Sequence, residues 1–211
     1  MMKWSLVFLL LIVTVVGHHE CGTPDRTPEL MEQDVARMKR YKNKPTRRMG
    51  ESLCKQCIEI EAAFHIIEDE EGATASSILW ADDVIQREVD LLNVGFKATP
   101  FRFILVSISR TIDNAKAFMS TRKWDALALE TATNLRIGGS DVVNIFVNEG
   151  TCNDGVGGHA NFPGEWGMFP AGTGSRLDRI WMCGSQVGQG GTTLTHEVGH
   201  WLNLLHVRCN L

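Results

Sequence analysis

The sequence predicts an α/β domain, and three observations carry that expectation. From residue 58 to residue 147, β-rich and amphipathic helical segments alternate in the order strand, helix, strand, helix, strand. A stretch rich in glycine, proline and aromatic residues then runs from Asn148 to Gly191. A final helical segment with two histidines four residues apart follows it.

The first residues, "MMKWSLVFLLLIVTVVG", place one Lys3 ahead of an apolar run from Trp4 to Val16. Such a run is too short to span a bilayer comfortably. With small residues at its end, it predicts a secretory signal peptide over 1–17 and a secreted product without a membrane anchor. Residues 18–57 form an N-terminal, pro-like segment with one expected helix, "PELMEQDVARMKRYK". The basic run Arg37 to Arg48 reads as a solvated linker or, more sharply, as a cleavable boundary. A net charge of −4 and scattered basic residues argue against a nucleic-acid partner. No Asn-x-Ser/Thr triplet occurs, so N-glycosylation is not expected. The six cysteines, at 21, 54, 57, 152, 183 and 209, read as disulfides in a secreted chain. Their spacing does not choose among fifteen pairings.

The ordered domain is expected over 58–211. "IEIEAAFHII" alternates apolar and polar residues with the period of a half-buried strand. His65 falls on its polar side, as an exposed or hydrogen-bonded structural histidine. In "ILWADDVIQREVDLLNVGF", Ile85, Val89 and Leu92 share one helical face. "FRFILVSIS" is a second strand, "TRKWDALALETATNLRIG" a second helix closed by Gly138 and Gly139, and "DVVNIFV" a third strand. "GGHANF" and "RIWMC" are short strands within the glycine-rich stretch. Long irregular segments of this kind usually line or cover a site.

The last helix, "LTHEVGHWLNL", is expected to be capped by Thr192 or Thr193. His196 and His200, four residues apart, project from one face and form a clamp for a zinc ion. Glu197 reaches a metal-bound water without ligating, which suits a general base. His206 joins the same ion only if the helix ends and the chain turns back. Asn203 stands where the turn calls for the left-handed conformation. Glycine is the default there and asparagine the best-tolerated substitute, at a cost of ~1 kcal/mol.

With these residues in place, the chain resembles the metzincin zinc endopeptidases, whose motif is HExxHxxGxxH, and among them the pappalysin-type (cytophagalysin-like) secreted proteases. "TLTHEVGHWLNLLH", "CGTP", "VIQREVDLLNVGF", Arg110-Thr111, "VNIFV" and "GGHANFP" carry the resemblance. It implies a mixed twisted sheet with two backing helices and a zinc-binding active-site helix. It also implies one catalytic Zn²⁺ on His196, His200 and His206, with Glu197 as base and proton donor. "GGHANF" would pair with an extended peptide or protein substrate, with His159 in the cleft wall. Cys21 would act as a latency switch, or else form a plain disulfide. The family continues past the third histidine into a methionine-bearing turn, whereas only "VRCNL" follows His206, so the C-terminal subdomain is expected to be largely missing. A Cys183–Cys209 disulfide would pin His206. The other reading is a protease-derived binding or structural zinc protein without useful activity.

Overall fold

The computed structural model describes residues 57–70, 80–122, 125–163 and 177–206, with Glu20, Cys21, Thr23, Thr27, Glu29 and Glu32. The expected signal peptide and the basic run lie outside these residues, as does the first helix apart from Glu29 and Glu32, both helical.

A six-stranded mixed sheet organises the chain, in the order β1-β5-β6-β4-β2-β3. Its strands are β1 (Glu20–Cys21), β2 (Ile58–Glu68), β3 (Phe101–Ile112), β4 (Val142–Asn148), β5 (Val156–Ala160) and β6 (Ile180–Cys183). β3, β2, β4 and β6 run parallel, while β5 is antiparallel to β6 and carries β1 on its outer edge. Residues 18–57 were expected to contribute no strand. β5 has a backbone edge open beyond β6, and β1 satisfies part of it.

The helices with bounds among the described residues are α1 (Asp82–Gly95), α2 (Asn114–Ala117), α3 (Ala126–Leu135), α4 (Glu149–Asn153) and α5 (Thr193–Trp201). α1 and α5 pack on one face of the sheet. There Trp80, Ile85, Val89 and Leu92 meet Leu194, Val198 and Trp201 over Phe64, Ile66, Val143, Ile145 and Met182. A Cβ on Gly95 would lie 2.6 Å from the Thr195 Cγ2, so glycine lets α1 and α5 close on each other. The opposite face carries Ala117, Met119, Ala128 and Ala132 over Ile67, Phe146 and Trp181. The two expected backing helices therefore lie on opposite faces, and only α1 shares a face with the histidine-bearing helix.

β2 departs from its expected half-buried character. It is central, between β3 and β4, and helices cover both sides of the sheet there, so Ala62 to Ile67 are buried whichever face they point to. His65 is accordingly inside, with Nδ1 against the Ser109 Oγ at 2.8 Å, Nε2 against the Asn144 Oδ1 at 3.0 Å and its ring stacked on Phe146. β3 skips a residue opposite Ala62 and Ala63, which pair with Leu105 and Ser107. After that irregularity the inward position passes to Ile108, and Val106 remains exposed. α3 ends at Leu135 with Arg136 as its cap, before Gly138 and Gly139.

Candidate metal centre

α5 begins at Thr193 after two glycines with positive φ, Gly188 and Gly190. Thr192 occupies the cap position but its side chain makes no capping bond, contrary to expectation. Glu88, buried on α1, instead accepts from the Gly188 N–H at 2.9 Å and fixes the loop that enters the helix.

The helix ends in the way the turn to His206 requires. Asn203 has φ 71°. Its N–H donates to the His200 carbonyl at 2.8 Å, and the Leu204 N–H donates to the Gly199 carbonyl at 2.8 Å. These two bonds define a Schellman stop with asparagine in the left-handed position. The Leu204 carbonyl, turned back by this geometry, lies 2.7 Å from the His200 Nδ1. That ring nitrogen must be the donor, so the His200 Nε2 presents a lone pair.

The three Nε2 atoms converge. His200 lies 3.0 Å from both His196 and His206, and His196 lies 3.2 Å from His206. A tetrahedral ion with bonds of about 2.0–2.1 Å sets ligand separations of about 3.3 Å. Three neutral imidazole nitrogens facing one point fit that donor set, since a shared proton joins only two of them. Burial, and then the neighbouring His206, hold His196 below the ordinary imidazole range, which favours the unprotonated ring. Phe162 stands edge-on to His200 at 5.3 Å between ring centroids. These three histidines are the group suited to a metal among the described residues.

Glu197 is fully buried one residue after the first histidine. Its Cγ packs where a Cβ on Gly158 would lie, 3.0 Å away, so the Gly157-Gly158 pair lets β5 approach the helix. The Thr23 hydroxyl lies 3.0 Å from the Glu197 Oε2 and 3.2 Å from the Ala160 carbonyl, and it accepts from the Ala160 N–H at 2.9 Å. Nothing in the spacing of "CGTP" pointed to this contact. Cys21 sits in β1, paired with Gly158 through the backbone, and its side chain lies outside the described residues.

Two expectations need correction. His159 is not in the cleft wall. Alternation along β5 turns it to the opposite face from Gly158, where its Nε2 meets the Thr121 Oγ1 at 3.1 Å. Cys183 does not pair with Cys209. It is bonded to Cys152, because β6 and α4 bring those two Cα atoms within 4.7 Å. Cys209 lies outside the described residues, and Cys57 is also disulfide-bonded.

No protein-family model matches the chain. An extracellular metalloprotease of Arthroderma benhamiae is 27% identical over 217 residues, covering 98% of this chain and 67% of the relative. One from Arthroderma gypseum is 30% identical over 158 residues, covering 71% and 48%. One from Colletotrichum graminicola is 25% identical over 200 residues, covering 92% and 66%. The comparisons support a metalloprotease family. The chain spans between about half and two thirds of the length of these relatives. A chain in a structure of a chaperone–substrate complex aligns at 18% identity with a TM-score of 0.40, over 68% of this chain and 23% of that one, too little to argue from. No helix among the described residues is long and apolar enough to cross a membrane.

Proposed function

We propose that this chain carries the catalytic core of a secreted zinc metalloendopeptidase of the metzincin type. The observation that carries the reading is the convergence of three Nε2 atoms within 3.0–3.2 Å beside a buried glutamate on the same helix. His196, His200 and His206 would hold the zinc. Bound there, zinc would polarise the scissile carbonyl and acidify water. Glu197 takes the proton of the attacking water at a carboxylate oxygen and returns it to the departing amine. The outer edge of β5 aligns an extended peptide through backbone hydrogen bonds. Gly158 keeps that edge close to Glu197.

The same edge carries β1, and Thr23 engages both Ala160 and Glu197. These contacts support a latent form in which β1 and Thr23 cover the cleft, with Cys21 as the candidate switch. Zinc content and chelator-sensitive cleavage of a denatured protein test the activity, with Glu197→Ala as control. Zinc-dependent cleavage lost in the variant is the expected result. Zinc binding without cleavage above that control would return the protein to the structural zinc reading.

A further inference from the structure

Asp178 is a buried carboxylate that the proposed chemistry does not use. It lies just before β6, on the face occupied by α1 and α5. Its Oδ1 accepts from the Trp201 indole N–H at 2.8 Å. Its Oδ2 meets the Arg136 Nη2 at 3.1 Å, with the two side chains only 9% and 1% exposed. Arg136 is itself held in place. Its guanidinium donates to the carbonyls of Gly138 and Gly139. The turn that follows is fixed by Asn144, which bonds both the N–H and the carbonyl of Ile137. A rigid chain of bonds thus runs from the start of β4, through Arg136 and Asp178, to the last residue of α5.

Trp201 is a consequential place for that chain to end. It follows His200 directly and is the last helical residue before the stop at Asn203. The direction in which the backbone leaves α5 decides whether His206 reaches the other two imidazoles. Packing of Leu194, Val198 and Trp201 sets the rotation of α5 as a whole. The hydrogen bond from the indole to a braced carboxylate adds a directional restraint at its last turn. Burying the Asp178 charge opposes its ionisation, its pKa being raised to about 6 mainly by burial. A buried ion pair with this desolvation penalty is weak evidence for a stabilising role.

We propose that Asp178, braced by Arg136, is a positioning residue for the metal centre. Through Trp201 it sets the helix end from which His206 is delivered. This inference rests on the zinc site proposed above. The test is zinc affinity of the full chain by competition with a chromogenic chelator, together with the visible ligand-field bands of the cobalt(II) form. Asp178→Asn keeps an acceptor for the indole and removes the ion pair. Trp201→Phe keeps an aromatic ring in the core, at the cost of a small cavity, and removes the donor. Each is expected to weaken zinc binding several-fold, less than the roughly tenfold or greater loss from removing a direct hydrogen-bond partner of a ligand, and to shift the cobalt bands. The double variant should bind no more weakly than the weaker-binding single variant, because both cut one chain.

Variants that melt earlier but bind zinc with wild-type affinity below their melting temperature would overturn the proposal. Failure of both to fold in the cold would do the same, since the link would then serve folding. A wild-type chain that takes up no zinc refutes the metal site itself. That outcome is distinct from variants that bind as the wild type does.

Discussion

At the residue scale, the decisive feature of the site is one backbone angle. Asn203 at φ 71° turns the chain so that Leu204 can orient His200 and His206 can return. Alanine pays more for the left-handed conformation than asparagine, and glycine pays nothing. Asn203→Ala should therefore be about 1 kcal/mol less stable than Asn203→Gly in urea titrations of the metal-free chain. Asn203→Gly should match the wild type or exceed it slightly. This position was legible in the sequence because a helix stop has its own residue chemistry. Thr23 and Asp178 were not legible. Their roles depend on partners 174 and 23 residues away, and no local pattern announces such contacts.

At the scale of elements, β5 and α5 meet through a glycine and a carboxylate. A methyl group on Gly158 would lie 3.0 Å from the Glu197 Cγ, 3.0 Å from the Trp181 carbonyl and 3.1 Å from the Met182 Sδ. Two of these atoms have little freedom to yield, so Gly158→Ala should destabilise the chain by about 1–3 kcal/mol, measured by urea unfolding. It should also lower proteolytic kcat by moving the proposed base. The β1 contact predicts the opposite direction for activity. Thr23→Val removes the hydroxyl held against Glu197 and Ala160 while keeping its volume. The chain should then cleave peptide several-fold faster at unchanged zinc affinity; equal rates would dissociate the Thr23 contact from latency. The order of strands and helices was readable from periodicity. Their layering was not, because it took the sheet order to show β2 as a central strand and His159 as facing away from the cleft. The Cys152–Cys183 bond was equally hidden, since six cysteines admit many pairings and only the meeting of α4 and β6 selects this one.

At the scale of the whole molecule, two buried groups on different faces of the sheet make the stability depend on pH in opposite ways. Burial, and then the nearby Arg179 charge, lower the His159 pKa to about 4, so the folded chain keeps this ring neutral. The unfolded chain takes up the proton near 6.5. Stability is therefore lost as the pH falls from about 6.5 to about 4 and changes little below that. A shift of this size corresponds to about 3 kcal/mol as an upper bound. Asp178 acts in the other direction. Its folded pKa is raised to about 6 mainly by burial, so the folded chain binds a proton before the unfolded one does, and stability is gained as the pH falls from about 6 to about 4. The two contributions offset each other across nearly the same window, and the acid lability of His159 is masked while Asp178 can titrate. Asp178→Asn removes the compensating proton, and the metal-free variant should lose stability more steeply than the wild type between pH 6 and pH 4. His159→Asn should do the reverse, flattening or inverting the acid slope. Urea unfolding at half-unit pH intervals, on chelator-treated protein so that metal release does not enter, separates the two. Parallel pH profiles for all three chains would show that neither group is buried as this fold places it.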